Sequence, residues 1–138
     1  GSPVLEQLAV ARLTTSEDAI LQPRRQSLRA RRDHLVALLR AHLPEVRFDV
    51  PSGGLCLWVE LDAPIANALA EACERRGLRI AAGPRFGVGG AFERYVRFPF
   101  SASPDDMDVA VKIFAQTYRQ MAPRRARSGA RAESAPVY

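Results

Sequence analysis

Apolar residues recur at helical spacing in four stretches of the chain and alternate with polar ones in several others. Between Pro3 and Leu13, residues Leu5, Leu8, Ala9 and Leu13 fall near the 3.6-residue period and predict a short helix. Thr14, Thr15 and Ser16 interrupt it, and Thr14-x-x-Glu17 has the capping-box form that opens a second helix. From Glu17 to Leu43, the stripe Leu21, Leu28, Leu35, Leu39, Leu43 lies opposite a polar face. That predicts about 27 residues of amphipathic helix, roughly 40 Å long. Pro23 is expected to bend or break its first turns, and Pro44 to end it.

Phe48 to Val50 then predicts a short strand, followed by a turn at Pro51-Ser52-Gly53-Gly54. Leu55 to Leu61 is the clearest strand, with Leu55, Leu57, Val59 and Leu61 on an aliphatic face and Cys56, Trp58 and Glu60 on a mixed one. A helix is expected from Pro64 to Arg76, stopped by Gly77. Leu78–Ala82 and Tyr95–Phe100 read as two more strands. A last helix opens with Ser103 as N-cap, Pro104 at its first position and Asp105 and Asp106 at the positive end of the dipole. Its apolar face is Met107, Ala110, Val111, Phe114, Tyr118 and Met121. The order predicts an α+β domain: a small three- to four-stranded sheet with helices packed on one face, preceded by a long helix.

Composition narrows the class. A chain of 138 residues, 47% of them apolar, suits one compact domain with a real core. No apolar run approaches the roughly 20 residues that span a bilayer, so no membrane partner is expected. Two cysteines without metal-ligand spacing exclude a zinc ribbon and a disulfide scaffold, and a reducing cytoplasm is the expected setting. The net charge of +5 is uneven. Arg124, Arg125, Arg127, Arg131 and Glu133 give residues 123–138 a net +3, which leaves +2 for the rest. That stretch is expected to be a basic disordered tail, and the remainder is a poor candidate for a nucleic-acid interface.

Three places attract chemistry. Ala82 to Gly90 is glycine-rich, and Gly87-x-Gly89 resembles part of a phosphate loop. It lacks a Walker lysine, and a strand follows it, so a plain connection between strands fits better. Arg97 is the second. Its neighbours Val96, Phe98 and Phe100 share the core face of their strand, which puts Arg97 on the other face with Tyr95 and Pro99. A guanidinium in an apolar strand calls for an anionic partner, either a ligand carboxylate or a structural ion pair with Glu60 or Glu93, unless the side chain is simply exposed. The third is Arg24, Arg25, Arg29, Arg31 and Arg32, which spread round a helix and suit a solvated surface. His34 and His42 share that helix eight residues apart, and no metal is expected there.

Taken in order, several segments resemble one family. These are Pro51-Ser52-Gly53-Gly54-Leu55-Cys56-Leu57-Trp58-Val59-Glu60-Leu61 and Gly77-Leu78-Arg79-Ile80-Ala81-Ala82-Gly83-Pro84-Arg85-Phe86. Tyr95-Val96-Arg97-Phe98-Pro99-Phe100 and a capped terminal helix follow. The arrangement over residues 3–121 resembles the C-terminal small domain of fold-type I aminotransferases, which use pyridoxal phosphate (PLP). The likeness is closer still to the aminotransferase-like half of MocR-type transcriptional regulators of the GntR superfamily.

The resemblance implies that Arg97 holds the carboxylate of an amino-acid-like ligand. It also implies that Gly53 and Gly54 form a turn on the substrate side, and that Gly83, Pro84 and Phe86 belong to a loop closing toward the cofactor. In that family the Schiff-base lysine lies upstream. Lys112, the only lysine here, is on the wrong element, so no catalytic residue, no cofactor-binding residue and no bound PLP are expected in this chain itself. Residues 1–13 would then be the end of a large PLP domain and 14–122 the small domain. The longer parent would carry PLP, pair as a homodimer and, if a regulator, bind DNA through an upstream winged helix. A genuine aminotransferase parent is the alternative, and a stand-alone interaction module a second one.

Overall fold

The computed structural model describes residues 3–15 and 17–121. The expected basic tail, residues 123–138, lies outside the described residues, and so does Ser16. The elements are α1 (Val4–Thr15), α2 (Glu17–His42), β1 (Cys56–Glu60), α3 (Ala66–Glu74), β2 (Ala81–Ala82), β3 (Tyr95–Pro99) and α4 (Pro104–Met121). A 3-10 turn, Gly83–Phe86, lies between β2 and β3. The fold is α+β, and the sheet has three strands in the order β1-β3-β2, all antiparallel.

One face of this sheet makes the core. Leu57 and Val59 of β1 stand opposite Phe98 and Val96 of β3, and all four are buried. Against them pack Leu35, Leu39 and Leu43 of α2, Leu69 and Cys73 of α3, and Met107, Val111, Phe114 and Tyr118 of α4. Phe114 meets Phe98 edge-on at 5.5 Å and stacks on Tyr118 at 6.3 Å. Removing this apolar area from water is what holds the two layers together.

Local signals fix several boundaries. Gly77 sits at φ 83°, where a side chain would be strained, and its N–H bonds the Glu74 carbonyl while that of Leu78 bonds Cys73. That pair of bonds is a Schellman stop for α3. Ser103 Oγ accepts the Asp106 N–H at 3.2 Å and caps α4.

Other expectations need correcting. Pro23 does not break α2, which runs unbroken for 26 residues, because a proline removes only one ladder bond and the flanking turns carry on. The stripe on α2 is buried only in its second half; Leu21 and Leu28 are partly exposed. Thr14 Oγ1 donates back to the Ala11 carbonyl at 2.8 Å, within α1, so it closes the first helix. Phe48–Val50 is not a strand. Pairing there shrinks to one bridge, Arg47 with Glu60, before the chain turns away toward Pro51. Leu78–Ala82 pairs only at Ala81 and Ala82, since the Schellman turn still governs the residues just after Gly77.

Candidate functional site

Among the described residues, no α-helix covers the other face of the sheet, and only the 3-10 turn Gly83–Phe86 reaches over it. Period-2 alternation sends Cys56, Trp58 and Glu60 of β1 and Tyr95 and Arg97 of β3 to this side. Register then brings them together: Trp58 stands opposite Arg97, and Ala81 of β2 flanks Arg97 on its other side. Ala81 is small, which leaves the guanidinium room on that side.

Arg97 is half-buried and held by two contacts. Its Nη2 donates to Cys56 Sγ at 3.2 Å, and its Cζ lies 4.5 Å from the centre of the Phe86 ring. A cation over an aromatic face is attracted by the ring quadrupole, so Phe86 orients the guanidinium without neutralising it. Neither Glu60 nor Glu93 reaches it. Glu93 accepts from Asn67 Nδ2 at 2.7 Å, and the Glu60 backbone is tied to Arg47. Among the described residues, no carboxylate forms an ion pair with Arg97. The remaining N–H donors of its planar fork are left to whatever approaches the open face.

The glycine-rich connection does more than link strands. Its first turn carries Phe86 to Arg97, and Gly83 at the start of that turn is buried. A β-carbon on Gly83 would come within 2.3 Å of the Phe92 carbonyl oxygen and 2.7 Å of that of Tyr95, so only glycine lets the turn pack so close. Phe92 adopts φ 65°, a costly conformation for a bulky residue, and its carbonyl accepts the Tyr95 N–H. The result is an aromatic cluster round Trp58, whose ring centre is 5.6 Å from those of Phe86 and Phe92 and 6.2 Å from that of Tyr95. Cavity space of about 460 Å³ continues along β1 past Cys56 and Trp58 to Asp49, Glu60 and Arg47.

The structure thus gathers Arg97, Phe86, Pro84 and Gly83 at one end of the open face. Gly53 and Gly54 lie instead beside α2, in a separate cavity with Arg25, Arg29 and Arg32. The sequence alone does not single out Cys56, Trp58, Phe92 or Tyr95 as site residues. Trp58 and Tyr95 are findable, because they share the strand parity of Arg97; Phe92 is not, because no period governs its loop. Arg31 and Arg32 are less solvated than a charged helix surface suggests. Arg31 Nη1 donates to the Ser101 and Ala102 carbonyls, and Arg32 Nη1 to that of Pro51. His34 Nε2 lies 2.9 Å from Asp108 Oδ1, joining α2 to α4.

A covalent PLP anchor needs a lysine amine, and Lys112, the one lysine in the sequence, is exposed on α4, in the layer behind the sheet from Arg97 and away from the open face.

No family model matches the chain, and no curated protein matches it. Solved structures do. The α-aminoadipate aminotransferase of Thermus thermophilus, complexed with N-(5'-phosphopyridoxyl)-L-leucine, superposes with a TM-score of 0.73 at 19% identity over 82% of this chain. An aspartate transaminase of Corynebacterium glutamicum gives 0.69 at 22% identity over 81%, and the kynurenine aminotransferase of Pyrococcus horikoshii 0.65 at 24% over 71%. The chain spans 30%, 28% and 25% of those three proteins. It has the aminotransferase-like fold of one portion of such proteins.

Proposed function

We propose that this chain is the carboxylate-recognising small domain of a larger PLP-dependent protein, with residues 14–122 forming that domain. The observation that carries the reading is Arg97: a guanidinium on an uncovered sheet face, oriented by Phe86 and Cys56, with no ion-pair partner among the described residues. A half-buried, unneutralised cation is stabilised when an oxyanion meets it, and a carboxylate matches its fork with two parallel hydrogen bonds. Holding the ligand carboxylate in this way fixes the orientation of the atoms beside it. That is the part this chain supplies; the lysine and the other groups that hold PLP would come from the rest of the parent.

Two parents are consistent with this role. Amino-group transfer is favoured by the structural neighbours, which are named as aminotransferases. The order of the motifs from Pro51 to Phe100 favours a PLP-responsive regulator of the MocR type, in which ligand binding biases domain position and hence DNA affinity. The full-length protein separates them. PLP-dependent conversion of an amino acid to its keto acid supports the enzyme, and a PLP-dependent change in operator affinity without turnover supports the regulator. A full-length protein that neither binds PLP nor responds to it would overturn both.

A further inference from the structure

A second cavity, of about 280 Å³, shares only Pro51 with the cavity along β1 and is lined by neither Cys56 nor Phe86, which touch Arg97. One wall is α2, through Arg25, Arg29 and Arg32; the other is the loop Pro51–Gly54. We propose that this cavity is a binding site for a phosphate-class dianion.

The three arginines sit at i, i+4 and i+7, so helical geometry points them to one side. Like charges four residues apart repel on a helix, and an arrangement that keeps them together is stabilised by an anion between them. Arg32 is already satisfied. Its Nε and Nη2 lie 2.9 and 2.8 Å from Asp33 Oδ1, and its Nη1 donates to the Pro51 carbonyl, which ties the loop wall to the helix. Asp33 therefore offsets one positive charge and leaves two. Arg25 and Arg29 are exposed and have neither a hydrogen bond nor an ion pair among the described residues.

The loop adds neutral donors. The N–H groups of Ser52, Gly53 and Gly54 donate to no group among the described residues. Gly54 stands at φ 84°, a conformation that disfavours any side chain, so the loop keeps its backbone uncovered. Leu28 and the buried Phe100 complete the lining with apolar surface, where charge-assisted bonds weaken less than in open water. Two free guanidinium forks and a row of amides outnumber what one carboxylate can accept. A phosphate group has the charge of two and the oxygens to meet both forks.

The test is calorimetric titration of the 138-residue chain with inorganic phosphate, phenyl phosphate and acetate at fixed ionic strength. Phosphate is expected to bind, acetate far more weakly, and R25Q/R29Q to weaken phosphate by about tenfold or more. R40Q/R75Q removes the same charge from exposed positions outside the cavity and is expected to change affinity by less than about twofold. Repeating every titration in an R97Q background removes anion binding at Arg97 from the reading, so this site and the Arg97 reading fail independently. Tighter binding of phenyl phosphate would identify a phosphate monoester as the occupant, and equal binding free phosphate. Equal losses in R25Q/R29Q and R40Q/R75Q, acetate binding as tightly as phosphate, or no phosphate binding at all would overturn the proposal.

Discussion

On β3, Val96 and Phe98 are 0% and 2% exposed, while Tyr95 and Arg97, between and beside them, stand half open on the opposite side. The same strands thus build two surfaces that answer to different physics. The covered face is aliphatic and aromatic, closed by α2, α3 and α4, and its residues are interchangeable in kind if not in shape. The open face holds a cation, a thiol and four rings in one arrangement set by register and by the turn after β2. Burial explains the first surface completely. It does not explain why Arg97 should lie in the second without an ion-pair partner among the described residues, and the proposal that the open face meets a ligand rests on that contrast.

Substitutions can break or sharpen this division. The largest effect belongs to the covered face: Phe114→Ala should lower unfolding free energy by about 3–5 kcal/mol in chemical denaturation, since the ring is fully buried between Phe98 and Tyr118. Gly83→Ala should cost about 1–3 kcal/mol, because its methyl meets two backbone carbonyls that cannot yield. It should also displace Phe86 and so disturb the site, which makes it the one position where both surfaces fail together. Trp58→Ala on the open face should cost about 1.5–2 kcal/mol, the low end for the three ring contacts it loses, since Trp58 is 39% exposed. A loss as large as that of Phe114→Ala would mean that the open face is a second core.

The smallest effect is a pH dependence. Burial pushes the Cys73 thiol above its ordinary 9.0, with Thr117 and Arg76 opposing the shift. The unfolded chain releases that proton from about 9.0 upward while the folded chain keeps it. The contribution is therefore full below that value and is lost as pH rises toward the folded pKa. Denaturation midpoints should fall above pH 9.0 and fall less steeply in Cys73→Ala. Cys56, on the open face, should react with a thiol reagent well before Cys73 does.

Much of the fold was legible because it rests on short-range rules. Alternation in Leu57–Leu61 and Val96–Phe98 reports a sheet with one buried face, and the Ser103 cap and the Gly77 stop fix helix ends within a residue or two. What failed was long-range or cooperative. The Phe48–Val50 strand has the right residues but only one bridge to pair with, and Pro23 is carried by the helix on either side of it. The site divides the same way. Parity alone put Arg97 off the core face. Its lack of a carboxylate, its stacking on Phe86 and the approach of Phe92 depend on a loop whose path no local pattern encodes. That Gly53 and Gly54 line a cavity with Arg25, Arg29 and Arg32 was equally invisible.

The most direct measurement is ligand titration of the full-length protein and its Arg97→Gln variant, with an amino acid and with PLP read separately. Loss of one charge-assisted contact should weaken amino-acid binding by about 1.5–3 kcal/mol while PLP binding changes much less. The denaturation midpoint of the variant should stay close to that of the parent. Unchanged amino-acid affinity, or equal loss of both ligands, would contradict the assignment of Arg97 to the ligand carboxylate.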